Sequence, residues 1–258
     1  MRLPVSVFII AKNEADRIGT TINSVKDWVD EVVVIDSGST DDTVSVATFL
    51  GARVIYNEWE GYGPQKRFAE DECKSKWLLN LDADEEATEE LAQEINDLFA
   101  AGEPPLAGYI IKVRDMLPGE KKFAPLAHTN HCLRLYNMEK GRFADSTVHD
   151  SVIMQEGENI GKLKELIRHR SFRSIAHAIE KMNSYTTAQA ENLIARNGLL
   201  FPRIRLVFEV PASFFKAYFL RLYILRGTRG LTYAKLYAFG RVMRVAKYLE
   251  MKANKDNA

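Results

Sequence analysis

Cysteine is scarce. Of 258 residues only Cys73 and Cys132 carry thiols, and their spacing fits neither a disulfide framework nor a metal-binding pair. Free thiols in a reducing cytoplasm are therefore expected. No apolar run approaches the roughly 20 residues a bilayer-crossing helix needs. The apolar opening, Val5 to Ala11, is too short to span and lacks a small-residue cleavage site, so it reads as a strand and not a signal peptide. No Gly-x-Gly-x-x-Gly follows that strand, where Lys12-Asn13-Glu14 stands instead, and no Walker-type loop is present. Both absences exclude the common glycine-rich phosphate cradles. Net charge is absent too, since 35 Lys and Arg balance 35 Asp and Glu.

That zero conceals an asymmetry. Residues 201–258 hold 12 basic and 3 acidic side chains, against 23 and 32 in residues 1–200. A basic tail on an acidic body predicts an anionic partner for the tail. The apolar fraction of 46% and charged fraction of 27% are those of a globular chain. The expected division is a catalytic domain over 1–200 and a helical, basic extension over 201–258.

The pattern from residue 5 is strand then helix, repeated. Strands are expected at Val5 to Ala11, Glu31 to Ile35, Ala52 to Tyr56 and Trp77 to Leu81, with helices from Ala15, Asp42, Gln65 and Thr88. Such alternation argues for a mostly parallel sheet with helices on both faces. Ligands of open α/β sheets bind beyond the carboxyl ends of the strands, and polar residues stand there. Asn13 and Glu14 end the first strand, Asp36 the second, and Asp82 and Asp84 the fourth. Each has a plainer reading. Asn13, Glu14 and Asp36 suit helix caps and turns, and Asp-Ala-Asp-Glu-Glu suits the start of a helix. The sharper reading is that Asp82 and Asp84 are hard oxygen donors for Mg²⁺ or Mn²⁺. Lys66 and Arg67 would reach a pyrophosphate, or else lie on a solvated helix face.

After Pro105 the strands lose their helices. Leu106 to Val113, Cys132 to Tyr136 and Val148 to Met154 look like an antiparallel extension, carrying His128, His131, Asp145, His149 and Asp150. A His beside an Asp serves as metal ligand, general base or surface hydrogen bond. Phe172 to Arg196 is expected to be one helix with Ile175, Ile179, Met182 and Tyr185 along one stripe. The stretch Phe214 to Arg226 is aromatic, aliphatic and basic at once. Gly227 and Gly230 should break it before a helix from Thr232 to Lys252. Basic amphipathic helices fit an anionic leaflet, or else pack on the sheet or on a second copy in a homodimer.

Val7-Phe8-Ile9-Ile10-Ala11-Lys12-Asn13-Glu14, Val33 to Thr43 and Asn80-Leu81-Asp82-Ala83-Asp84-Glu85, taken in order, resemble family 2 glycosyltransferases. Gly61-Tyr62-Gly63-Pro64-Gln65-Lys66, Val148-His149-Asp150 and the tail around Phe214 to Gly230 resemble the bacterial lipopolysaccharide-core β-glucosyltransferase group. The usual Val-His-Glu of that group is Val-His-Asp here. The resemblance implies a GT-A fold, a nucleotide-diphosphate sugar donor (commonly a uridine diphosphate sugar, here UDP-glucose), a divalent metal and inversion at the anomeric carbon. By that resemblance Asn13, Glu14 and Asp36 contact the nucleotide, and Asp82 and Asp84 form the metal motif.

Glycosyl transfer passes through an oxocarbenium-like state while charge grows on the departing diphosphate. Positive charge placed there is usually the largest catalytic contribution, and inversion needs a carboxylate to take the acceptor's proton from the opposite face. Asp150 is the expected base, with Asp145 second. His149 is the expected metal ligand or orienting partner, and Lys66 assists the diphosphate. The expected acceptor is a lipid-linked saccharide such as lipopolysaccharide core, or a polyprenyl-phosphate-linked sugar, met at the inner face of the cytoplasmic membrane. A non-catalytic sugar-nucleotide scaffold and a nucleotidyltransferase are the competing classes. No nucleic acid is expected as a partner.

Overall fold

A computed structural model describes residues 2–124, 127–146, 151–196 and 198–256. The chain folds as two compact units, Met1–Asp115 with Thr129–His169, and Met116–His128 with Arg170–Ala258. Residues 170–200, grouped by sequence with the catalytic part, thus lie in the second unit.

The first unit runs β1 (Leu3–Ala11), α1 (Ile18–Asn23), β2 (Val29–Asp36), α2 (Thr43–Phe49), β3 (Arg53–Tyr56), α3 (Tyr62–Glu72), β4 (Trp77–Asp82), β5 (Glu85–Ala87) and α4 (Glu89–Ala100). It continues with β6 (Gly108–Asp115), β7 (Thr129–Asn137), β8 (Gly141–Phe143), β9 (Val152–Met154) and β10 (Ile160–His169). Eight strands form one sheet in the order β3-β2-β1-β4-β7-β6-β10-β5, and β8 pairs with β9 separately. Within the eight, β7 and β5 run against the rest.

Side chains alternate across each strand, so β1 feeds two cores. Val5, Val7 and Ile9 pack with Ile18 and Ile22 of α1 and Leu91 and Ile95 of α4. Phe8 points the other way, joining Val33, Ile35, Leu78, Tyr136 and Ala69 of α3. Each such aliphatic or aromatic side chain contributes about 1.5–3 kcal/mol by leaving water. Helices cover both faces, as expected for strands this apolar.

Several expectations change. Glu85–Ala87 is not the helix start but strand β5, pairing Glu86 with Arg168 of β10. The helix begins after Thr88, whose hydroxyl caps it by accepting from Leu91 N. Strand β10 was not anticipated, and it runs parallel to β6, so the later strands form a mixed and not an antiparallel extension. Helix α3 starts at Tyr62. Gly63 there is obligatory, because a Cβ would lie 2.2 Å from the Ala144 carbonyl oxygen.

The second unit contains α5 (Ile175–Ala195), α6 (Pro202–Phe215), a π-helical turn (Lys216–Leu220), a 3-10 turn (Tyr223–Arg226) and α7 (Gly227–Asp256). Its core is small, centred on Leu117, Ala178 and Tyr233. Helix α5 buries Ala178, Thr186 and Ala190, whereas Ile175, Ile179 and Tyr185 of the expected stripe are exposed. Lys247 on α7 donates to Asn183 Oδ1 at 2.7 Å and Thr187 Oγ1 at 2.7 Å, so α5 meets α7 through small and polar groups. Gly227, at φ +59°, ends the 3-10 turn as expected, and α7 starts there and not at Thr232, with Gly230 in its first turn. A Cβ at Gly230 would strike the Tyr223 carbonyl oxygen at 1.8 Å.

Candidate active site

Strand β4 lies between β1, which it parallels, and β7, which it opposes. Its Trp77 to Leu81 segment is therefore buried and delivers Asp82 to the strand tip. Asn80 and Asp82 share two cations. Lys66 Nζ donates to Asn80 Oδ1 at 3.0 Å and to Asp82 Oδ1 at 3.1 Å. Arg134 of β7 donates to Asn80 Oδ1, to Asp82 Oδ2 at 2.8 Å and to Glu85 Oε1 at 2.6 Å. Glu85 Oε2 accepts from Asp82 N at 3.0 Å. Lys66, expected near a pyrophosphate or in solvent, is fully buried beneath the strand tip. Arg67 turns away, donating to the Phe143 carbonyl oxygen at 2.9 Å.

These contacts set the charges. Burial works against the Asp82 anion, but Arg134 and Lys66 outweigh it and hold the carboxyl well below the usual range. Burial pushes Glu85 up to about 7 against the pull of Arg134, with the neighbouring Asp82 charge adding to the rise. Asp82 keeps 33% of its side-chain surface exposed, whereas Glu85 keeps 1%. Only Asp82 of the two faces solvent.

Asp84 has different company. Its Oδ2 lies 3.3 Å from Arg17 Nη1 and 3.4 Å from His169 Nε2. Arg17 is gripped by Glu14 through Nε and Nη2, both at 2.7 Å, and His169 Nδ1 meets Asp115 Oδ1 at 2.8 Å. Burial opposes the His169 charge, but Asp115 and Asp84 prevail and raise it to about 10. Burial likewise opposes ionised Asp84, and His169 and Arg17 lower it below the ordinary carboxyl value. His169 ends β10 as Asp36 ends β2 and Asp82 ends β4. Its strand alternates, with Leu163 and Ile167 buried, and this signal could have found it.

The first two strand tips are laced together. Asp36 Oδ2 accepts from Gly38 N and Ser39 N, each at 2.9 Å, and Oδ1 from the Ser39 hydroxyl at 2.5 Å. Asn13, in the left-handed region at φ +56°, accepts from Thr40 N at 2.8 Å. Glu14 N donates to Thr43 Oγ1 at 2.8 Å. Gln65 is buried in the same frame and donates to Ser37 Oγ at 3.0 Å. The turn-forming reading of Asp36 is thus realised in its bonds, in a loop on the same sheet edge as Asp82.

The expected base and His ligand, Asp150 and His149, lie outside the described residues. Asp145 is exposed, one residue from the Ser146 carbonyl that accepts from Gly63 N at 3.0 Å. His131 is exposed on β7, and His128 belongs to the second unit. Among the described residues no three His, Cys, Asp or Glu side chains are arranged to hold a metal ion. The donor chemistry nevertheless fits one. Asp84 and His169 lie 3.4 Å apart and would offer a carboxylate and, once the ion displaces the Nε2 proton, a neutral imidazole whose Nδ1 stays on Asp115, with Asp82 on the far side of Ala83.

Residues 6–160 match the sequence family described as glycosyl transferase family 2. An uncharacterized glycosyltransferase of Rickettsia typhi is 42% identical, over 98% of this chain and 89% of that protein. The lipopolysaccharide core biosynthesis glycosyltransferase LpsC of Rhizobium meliloti is 32% identical, over 88% and 83%. Among solved structures, Mycobacterium tuberculosis glucosyl-3-phosphoglycerate synthase with Mn²⁺, UDP and glucosyl-3-phosphoglycerate aligns at 26% identity and a TM-score of 0.35. That overlap covers 45% of this chain and 44% of the synthase.

Proposed function

The chain belongs to glycosyl transferase family 2, with the GT-A arrangement of sheet and helices, and we propose that it moves glucose from UDP-glucose to a lipid-linked saccharide. In this reading the acceptor is of the lipopolysaccharide-core kind, the anomeric centre inverts, and a divalent ion is needed. Nucleotide-sugar transfer is the activity of the family. The observation that carries the finer reading is Asp82-Ala83-Asp84 at the tip of β4, surrounded by Lys66, Arg134, Arg17 and His169. The 32% identity to LpsC supports the acceptor class.

Asp84 and His169 would hold Mg²⁺ or Mn²⁺ together with Asp82. The ion supplies Lewis-acid stabilisation of charge on the leaving diphosphate. Arg134 and Lys66 keep Asp82 ionised and fixed, so no reorganisation is needed as that charge develops. Arg17, oriented by Glu14, adds positive charge beside Asp84. The Asp36 loop, locked by Ser39 and Asn13, positions the uridine. Asp150 takes the acceptor proton, with Asp145 as the alternative, while Glu85 is too buried to touch substrate and acts as a positioning residue.

The test is transfer of labelled glucose from UDP-glucose to lipopolysaccharide truncated in its core, with the product's anomeric configuration read by NMR. A β-linked product that requires Mg²⁺ or Mn²⁺ is expected. An α-linked product overturns inversion, and a metal-free rate equal to the loaded one overturns the metal assignment.

A further inference from the structure

Helix α6 is inside out. Its buried positions are Glu209 and Ser213, and Ala217 continues the same line into the π-helical turn. Glu209 is held by Arg205 Nε at 3.1 Å and Arg241 Nε at 2.9 Å, with Arg244 Nη2 at 3.7 Å. The outward positions are hydrocarbon. Ile204, Val207, Phe208 and Phe215 are 57%, 67%, 63% and 54% exposed, at spacings of three, four and seven that keep them on one stripe. Phe219 and Leu220 extend the exposed apolar surface. Polar residues inside and aromatics outside reverse the order that water imposes on a surface helix. A contiguous exposed patch of this kind marks an interaction surface.

We propose that this outward face of α6, continued through Lys216–Leu220, is the surface by which the protein lies on an anionic phospholipid bilayer. The inference rests on the lipid-linked acceptor reading for its purpose but not for its geometry. Charge selects the occupant. The patch is bordered by exposed Arg203 and Lys216, while Glu209, the one acid on the helix, is buried and already neutralised. Residues 201–258 carry 12 basic and 3 acidic side chains, so two copies meeting face to face would oppose like charges. Anionic headgroups complement them. A groove of about 520 Å³ at the start of α6 repeats the theme, with walls of Phe201, Ile204 and Leu249 and two cations, Arg203 and Lys252. Apolar walls topped by cations, with no acid among them, suit acyl chains beneath a phosphate. Helix α6 is about 21 Å long at 1.5 Å per residue, and it would lie in the interface plane. No helix among the described residues is long and apolar enough to cross a membrane.

The full chain should sediment with phosphatidylcholine vesicles containing phosphatidylglycerol, weakly with phosphatidylcholine alone, and less as salt rises. Val207→Asp with Phe208→Asp should lower the partition coefficient at least tenfold, since both side chains must leave water on binding. Arg203→Gln and Lys252→Gln should each lower it about fivefold, on anionic vesicles only. All four positions are solvent-facing and distant in sequence from the strand-tip acids, so UDP binding should not change. Equal binding of wild type and the Val207/Phe208 variant overturns the proposal. So does a wild-type dimer that the same variant dissolves while vesicles are ignored. Vesicle binding without UDP binding would leave the docking face standing and remove the donor reading instead.

Discussion

The two units place charge and hydrocarbon oppositely. In the first, Val7, Ile9, Leu79 and Leu81 are sealed inside, and charges converge at the strand tips where Asp82, Asp84, Lys66, Arg134 and His169 compensate one another. In the second, buried Glu209 is held by part-exposed Arg205 and Arg241 while Val207 and Phe208 face outward. A buried ion pair is costly to keep unless function or geometry requires it. On the proposed function the requirement in the first unit is a polar cleft for a diphosphate, and on the proposed docking it is an apolar outer face in the second. On the proposed reading, one chain holds a unit built for water and a unit built for an interface.

That contrast can be broken at its strongest point first. Asp84→Ala should reduce transfer by at least about 10³-fold, the scale of losing a metal's several kcal/mol. The variant should still fold, with a lowered melting temperature because Arg17 and His169 lose their partner, so transfer is compared at a temperature where both proteins are folded. Asp150→Asn should cut turnover by roughly 10²–10⁴-fold with UDP affinity nearly unchanged, whereas a loss under tenfold moves the base elsewhere. Arg134→Ala should cost about 3–5 kcal/mol in urea unfolding, since it strands buried Glu85 and removes one of the two cations on Asp82. A cost below 1 kcal/mol would mean that Arg134 is not what fixes the strand tip.

Smaller effects sharpen the same comparison. Ile9→Ala should cost about 2–5 kcal/mol, while Phe208→Ala should change stability by no more than about 0.5 kcal/mol. Equal costs would show that α6 is packed and not exposed. His169 gives the pH dependence. Its folded value of about 10 stands above the ordinary 6.5, so its contribution to stability is complete below pH 6.5 and lost as pH rises toward 10. Urea midpoints of wild type and metal-free His169→Gln should converge over that window, and a constant gap would contradict the ion pair with Asp84 and Asp115.

The strand tips were legible because each is a short apolar run ending in an acid. Asp36 and Asp82 needed no more than that. Arg134 carried a local signal as well, a charge inside Cys132-Leu133-Arg134-Leu135-Tyr136, which in a buried strand must be paired. What could not be read was with whom. Its partner Glu85 is 49 positions away, and Arg17 is 67 from Asp84, distances that only the sheet closes. The α5 stripe marked its helix and left the helix's surroundings open. Apolar periodicity says that Ile175, Ile179 and Tyr185 share a face, but not whether that face meets protein, lipid or water.

The most direct test of the central claim is a calorimetric titration of UDP into wild type and Asp84→Ala, each with and without Mn²⁺. Binding that requires the ion in wild type and is lost in Asp84→Ala is the predicted result. Metal-independent binding of equal affinity in both proteins would contradict the strand-tip site.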